Sequence, residues 1–323
     1  MSALRPYRAI LLALALLALL PVLFTTGTVR NFLIFTLIVA LAAQGWNLLG
    51  GYGGQFSFGH ASFFGTGAYA IAILQARAGL NPWLALPVAV ALGALAGAVI
   101  GTLAFRARLR GSYFALVTLA FAEVLRIVAN VLPITGGAAG TLIRLNVDPL
   151  NFQFADRAHF YWVTLVFLGA AMVLVRALER GRFGARLVAV RENEDAARAL
   201  GVDVLRVKIV AITLSAAITA VAGCLYAQNF LYLDAAIAYG PWISVEALLA
   251  PIIGGLGTVF GPLIGALVLH GLGELTKVWI GALTGGSVPG IDLVLFGILL
   301  IATVGFAPRG ILGLVARLRM LPA

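Results

Sequence analysis

Along this chain apolar positions are the rule and polar ones the interruptions. Continuous apolar runs occupy residues 9–24, 31–49, 61–76, 83–105, 113–131, 160–177, 208–230, 243–256, 259–280 and 291–306. Most approach the roughly 20 residues that an α-helix needs to cross the hydrocarbon of a bilayer. A transmembrane barrel would instead alternate apolar and polar residues over segments of about ten. The pattern therefore predicts an all-α polytopic membrane protein of about ten transmembrane helices. Residues 1–323 form one membrane domain, because the polar stretches between the runs are too short for a soluble catalytic domain. The first run follows Arg5 and Arg8 as a signal peptide would, but no small-x-small cleavage site precedes Thr25, so it is read as an uncleaved first helix.

Composition agrees: 62% of residues are hydrophobic and 11% charged, with a mean hydropathy of +1.06. Glycine supplies 38 of the 323 residues, and small residues let helices approach closely in lipid. Cys224 is the only cysteine, so no intrachain disulfide can form; within its apolar run it is read as a small buried hydrophobe.

The basic residues are distributed unevenly. With ten crossings, 16 of the 22 fall on the side holding both termini, including Arg5, Arg8, Arg106, Arg108, Arg110, Arg309, Arg317 and Arg319. The other side receives Arg30, Arg77, Arg144, Arg157 and Lys277, while Arg126 lies within a segment. This bias places both termini in the cytoplasm. The net charge of +10 thus reports topology and calls for no nucleic-acid partner.

The densest polar stretch is "GARLVAVRENEDAARALGVDVLRVK", residues 184–208, within a cytoplasmic loop at 179–207. Read as one helix, it places Val190, Ala197 and Leu200 on one side and Arg191, Asp195 and Arg198 on the other. Arg191 with Asp195, and Glu194 with Arg198, have i,i+4 spacing. Glu192 adds a further charge, and Gly201 permits a sharp turn. Such a helix is either a solvated loop or a docking surface for a soluble partner.

"DAARALG" resembles the E-A-A-x-x-x-G pattern by which bacterial ABC importer permeases hold their ATPase. Asp195 stands in the Glu place, Ala196, Ala197 and Gly201 match, and the usual proline-containing continuation is absent. The resemblance extends to "GGYGGQFSFGHASFFGTGAYA" (50–70), "LRGSYFALVTLAFAEVLR" (109–126), "TGGAAG" (135–140), "GGLGTVFGPLIGA" (254–266) and "GFAPRGILGL" (305–314). Together these are similar to the LivM-type permease subunits of branched-chain amino-acid ABC transporters. The resemblance implies a multi-pass subunit of the bacterial cytoplasmic (inner) membrane, without a cofactor. Its implied partners are a homologous second permease subunit, two ATP-binding cassette subunits and a solute-binding protein. Arg191, Glu192, Glu194, Asp195, Ala196, Ala197, Arg198 and Gly201 would then form the ATPase-coupling segment.

Several membrane segments carry polar chemistry. The broken stretch "GGYGGQFSFGH" offers Gln55, Ser57 and His60 either to a translocated solute or to close helix packing. "GGLG" at 254–257 repeats its "GGYG" at 50–53, a hint of two parallel halves. Glu123, Arg126 and Asn130 share one helical face, and a charge at mid-membrane costs at least about 2.5–3.5 kcal/mol, so Glu123 and Arg126 should pair or face a cavity. Thr135, Gly136 and Gly137 open an external loop as an anion-binding nest or a tight turn, and with Gln55, Ser57, His60, Glu123 and Arg126 they are the candidate residues of a translocation pathway. His270, Glu274 and Lys277 form a stripe read as a snorkelling polar edge, and Glu246 and Asp292 sit at segment starts.

Three functions compete. An ABC permease subunit needs a separate ATPase, and the chain has no G-x-x-x-x-G-K-[ST] loop. A secondary transporter of a small polar solute needs free carboxylates at mid-membrane. An intramembrane enzyme finds no support, since His60, His159 and His270 lie apart and no metal triad or serine–base arrangement accompanies them.

Overall fold

The computed structural model describes residues 7–284, 290–307 and 309–318. Arg5, Pro308 and Arg319, and the side chains of Asp292 and Arg317, lie outside the described part. Each predicted apolar run forms helix, and seven helical stretches are long and apolar enough to cross a membrane. They are Gly27–Tyr52, Pro82–Arg106, Gly111–Val131, Arg157–Arg180, Val204–Phe230, Ala235–Gly254 and Gly261–Ile280. The remaining three runs form shorter helices: Arg8–Leu23, His60–Ala76 of 17 residues and Ile291–Phe306 of 16.

In chain order the elements used below are α1 (Arg8–Ala18), α2 (Leu20–Leu23), α3 (Gly27–Asn47), α4 (His60–Ala76), α5 (Pro82–Arg106), α6 (Gly111–Val131), α7 (Arg157–Arg180), α8 (Arg182–Glu192), α9 (Glu194–Ala199), α10 (Val204–Phe230), α11 (Ala235–Tyr239), α12 (Pro241–Gly254), α13 (Gly261–Thr284), α14 (Ile291–Phe306) and α15 (Gly310–Leu318). Among the described residues the only strand pairing is a two-rung antiparallel ladder, Thr141–Leu142 against Tyr232–Leu233.

Several helix starts carry side-chain caps. The side chains of Asn81, Asp156, Asp203 and Asp234 each accept a backbone N–H in the first turn of α5, α7, α10 and α11. These bonds satisfy donors that have no partner inside the helix.

The molecule is organised around α3, whose residues from Thr36 to Asn47 are all buried. α10, α7, α12 and α13 pack against it, and α4 and α5 pack on α10 and on each other. The α5–α10 contact depends on absent side chains. Gly93, Gly97 and Gly101 stand four residues apart, and a Cβ on each would lie 2.4 Å from Ala220, Ala216 and Ile212 of α10 respectively. Apolar surface gains nothing by leaving lipid for another apolar surface, so van der Waals contact at this short range does the holding. The outward face of α5 is apolar throughout, with Leu84, Leu95 and Leu103 more than half exposed.

Loops gather at two ends. At one, Arg30 bridges to Asp156 at 2.7 Å, Arg77 donates to the Pro133 carbonyl and Asn81 to that of Leu150. At the other, Arg191 donates to Gly51, Arg110 meets Glu194 and Asn47 holds the 257–258 loop.

Candidate functional site

The polar loop between α7 and α10 is not one helix. Asn193 adopts φ −159°, ψ 108°, and its Oδ1 accepts from the backbone N–H groups of Asp195 and Ala196, both at 3.0 Å. An Asn cap followed by two acids in the first turn is a strong helix start, so α8 stops and α9 begins. The pairs predicted across one helix therefore do not form. Arg191 pairs with its neighbour Glu192, Arg198 pairs with Asp195 at i,i+3, and Glu194 turns away to α10. Gly201 closes α9 at φ +82°, and Val202 donates back to the Ala197 carbonyl, an αL ending that suits glycine.

This two-part segment has an inner and an outer side. Inward, Leu187, Val190 and Ala197 are buried. Arg191 donates 3.0 Å to the Gly51 carbonyl, and its stem covers Gly54. Glu194 grips two membrane helices: one oxygen contacts Lys208 of α10 and the other lies 3.0 Å from Arg110 before α6. Lys208 also lies 5.3 Å from the centre of the Phe105 ring. Outward, Glu192 and Asp195 are 67% and 73% exposed, and Leu200, expected on the apolar side, is 85% exposed. Ala196 and Arg198 are exposed beside them.

The two glycine-rich stretches that the sequence pairs as "GGYG" and "GGLG" meet in space. α3 runs into a π-helical turn over Leu48–Tyr52. Asn47 then clamps the second stretch, donating to the Thr258 carbonyl and accepting from the Gly257 N–H, both at 2.9 Å. Gln44 donates to the Val259 carbonyl. Neither residue was singled out in the sequence, although each is an uncharged polar group inside an apolar run, the signal that would have found it. Arg191 reaches this junction from α8, so the polar loop and both broken stretches share one contact region.

Gln55, Ser57 and His60 of the first broken stretch have partners inside the protein, whereas the buried Tyr52 hydroxyl has none among the described residues. His60 is fully buried, with Nε2 2.8 Å from the Ser215 hydroxyl, which donates to the Gly45 carbonyl. The Ser57 hydroxyl accepts from the Gly59 N–H, and its carbonyl accepts from Trp46 Nε1 at 2.7 Å. Gln55 donates to the Gly53 carbonyl. At the opposite end the Thr135 hydroxyl donates to the carbonyls that finish α6, Ala129 and Leu132. The N–H groups of Gly136 and Gly137 bond to Pro133 and Leu132, and both glycines have positive φ. Their donors are consumed by a turn, so they form no open anion nest.

Glu123 and Arg126 do pair, in a two-pronged contact with Arg126 Nε 2.9 Å from Glu123 Oε2. The pair stands on the outer face of α6, 49% and 35% exposed, with exposed Ser112, Leu116 and Asn130 on the same side. The predicted 270–277 stripe divides. His270 is buried against Thr36 (3.1 Å) and Glu246 (3.4 Å) and stacks on Phe35 at 5.0 Å, while Glu274 and Lys277 are exposed. Glu246 thus serves His270 in addition to its place near a helix start. No group of three or more metal-ligating side chains occurs among the described residues.

A bundle with seven membrane-length helices, broken glycine-rich segments and a polar loop clasped to their ends defines a multi-pass membrane permease. Residues 28–304 match the family of branched-chain amino acid transport system permease components, and the chain belongs to that family. It is 33% identical over 294 residues to the high-affinity branched-chain amino acid transport system permease protein LivM of Escherichia coli (strain K12), covering 83% of this chain and 68% of that protein. It is 27% identical over 278 residues to the probable branched-chain amino acid transport permease protein LivH of Methanocaldococcus jannaschii, covering 80% and 82%. The ribose import permease protein RbsC of Escherichia coli (strain K12) is 28% identical over 285 residues, 81% of each chain.

Proposed function

We propose that this chain is the transmembrane subunit of an ABC importer for branched-chain amino acids or a related small solute, with ATP hydrolysed by a separate subunit. The observation that carries the proposal is the two-sided segment of α8 and α9. Its inner side chains Arg191 and Glu194 hold the membrane helices, while Glu192 and Leu200 stand outward and Asp195, 73% exposed, reaches Arg110 only at 3.8 Å. A soluble motor that seats the outer side would move the inner side with it, a rigid coupling between two discrete arrangements. The names of the relatives, permeases for branched-chain amino acids and for ribose, support a small polar solute.

On this reading the chain crosses the bacterial cytoplasmic membrane about ten times with both termini inside. Residues 1–323 make one permease domain and 179–207 the coupling loop. The grouping of loops at two ends supports this arrangement, since the joined loops lie on the same side when crossings alternate. A homologous second permease, two ATP-binding cassette subunits and a solute-binding protein complete the assembly.

The translocation path lies along the outer face of α6. Glu123 lies about 18 Å from the start of the helix and about 12 Å from its end, at a depth where lipid cannot solvate it. Protein or a watery cavity must cover Glu123 and Arg126, and the second permease supplies that cover. Gln55, Ser57, His60, Thr135, Gly136 and Gly137 support the path by fixing backbone turns.

The test is purification in mild detergent from cells that make the whole system, with ATPase activity measured in the eluate. Wild type should carry activity that a Glu192→Lys/Asp195→Lys variant loses while still inserting in the membrane. Equal activity in both samples overturns the coupling role. Transport that persists without ATP but collapses with the ion gradient would establish the secondary-transporter alternative.

A further inference from the structure

A small cavity of about 50 Å³ opens where α5 ends, α6 begins and α10 starts, on the same end as the α8–α9 segment. Its lining is unusual for its size. Arg108, Arg110, Arg198 and Lys208 contribute four cations, and Glu194 is the only carboxylate among the lining residues. Two carboxylates engage these cations: Glu194 pairs with Lys208 and Arg110, and Asp195 with Arg198 and, at 3.8 Å, Arg110. Arg108 has no ion-pair partner among the described residues. Its backbone is left-handed, φ 55°, a conformation rare outside glycine, in the tight turn between α5 and α6. Four cations against two carboxylates leave the pocket with a formal surplus of two positive charges.

The rest of the lining is apolar: Phe105, Leu109, Val204 and Leu205. Phe105 and Val204 are buried, and Leu205 is 36% exposed on the bundle surface. Because membrane-length helices end on all sides of it, the cavity sits at the level of lipid headgroups. A surplus-positive cavity beside apolar helix ends matches one ligand chemistry, a phosphate ester whose remaining bulk is hydrocarbon. Arginine suits it further, because its planar guanidinium meets phosphate oxygens in pairs.

We infer that this cavity binds the phosphate of an anionic phospholipid, with Arg108 as the cation left free for it and Arg110, Arg198 and Lys208 completing the field. The inference uses the membrane location of the chain and none of its proposed coupling to ATP. Bound lipid would tie the α5–α6 turn to the α9–α10 turn at the point where Glu194 joins them.

Native mass spectrometry of the full chain in detergent tests this, with phosphatidylglycerol, phosphatidylcholine or inorganic phosphate added and no ATPase present. Wild type should retain one phosphatidylglycerol and no phosphatidylcholine at equal concentration. Arg108→Gln should weaken retention about fivefold, as expected for one headgroup-level cation, and Arg108→Lys should restore part of it. Arg106→Gln removes the same charge at the same depth outside the cavity and should leave retention near wild type.

An equal loss in Arg106→Gln would mean diffuse surface attraction and overturn the site. Retention of phosphatidylcholine as strongly as phosphatidylglycerol would reduce it to an apolar groove. Displacement of the lipid by millimolar inorganic phosphate would assign it to a free anion instead. No lipid retention by the chain alone, with loss of ATPase co-purification in Arg108→Gln, would assign the cations to an acidic surface of the motor. None of these outcomes bears on whether Glu192→Lys/Asp195→Lys releases the ATPase.

Discussion

Glu194 and Asp195 are adjacent carboxylates at the start of α9, yet removing them should have very different effects. Glu194 is 14% exposed and its partner Lys208 5%, with Arg110 on the second oxygen at 3.0 Å. Removing one member of a buried ion pair typically costs about 3–5 kcal/mol, because the other charge is left without compensation. Lys208 stands four residues into α10 and can partly reach water by its stem, so the lower end, about 3 kcal/mol, applies.

For a chain of 323 residues, an unfolding entropy of about 2.1 cal/mol/K per residue gives about 0.7 kcal/mol/K in total. Glu194→Ala should therefore lower the apparent Tm of the detergent-solubilised protein by about 4 °C. Asp195→Ala, 73% exposed and pairing only with surface arginines, should shift it by about 1 °C or less. A Glu194→Leu/Lys208→Met double variant should recover most of the loss, since apolar replacement of a buried pair is often neutral. The assay is a thermal melt of the three variants and wild type in one detergent at fixed protein concentration. Equal melts for Glu194→Ala and Asp195→Ala would refute the reasoning, and so would a double variant that melts below Glu194→Ala.

Gly97→Val should expel α5 from α10, because a Cβ already lies 2.4 Å from that of Ala216; the expected outcome is loss of folded protein in the membrane, read by detergent-resistant monodispersity. Arg191→Ala should leave ATPase co-purification intact while uncoupling hydrolysis from uptake, measured as solute transported per ATP hydrolysed. Arg126→Ala should reduce transport more than Glu123→Ala/Arg126→Ala, because the single change leaves a lone carboxylate at a depth that disfavours it by about 2.5–3.5 kcal/mol. Asn47→Leu strips the 257–258 loop of two hydrogen bonds, for about 1 kcal/mol each, and should lower the melting temperature by about 3 °C.

Membrane architecture was legible in the sequence because lipid imposes a length and a uniformity that any helix must meet. Each of the ten apolar runs became helix, and the break after Asn47 fell where glycines cluster. The polar loop was legible as a feature but not in its parts. Helical phasing carried across Asn193 placed Leu200 with Val190, yet the cap at Asn193 restarts the phase, so Leu200 points to solvent. The Asn-Glu-Asp sequence contained that signal.

Partners far apart in the chain were not legible. Glu194 meets Lys208 and Arg110, and His270 meets Glu246, only because particular helices lie side by side. Periodicity finds which face a residue occupies but not what packs against that face. His60, Ser57 and Thr135 likewise drew attention as polar groups in oily surroundings, and the structure gives each a backbone or hydroxyl partner.

On the proposed coupling, the junction of Asn47, Gly51, Gly257 and Arg191 would set how a stroke divides between the two broken stretches. Asn47 fastens the later stretch to the earlier one and Arg191 holds the earlier one from α8, so the three bodies are joined through one set of hydrogen bonds. An advance of one stretch would then carry the other with it, and the cycle would pass through few partly engaged states.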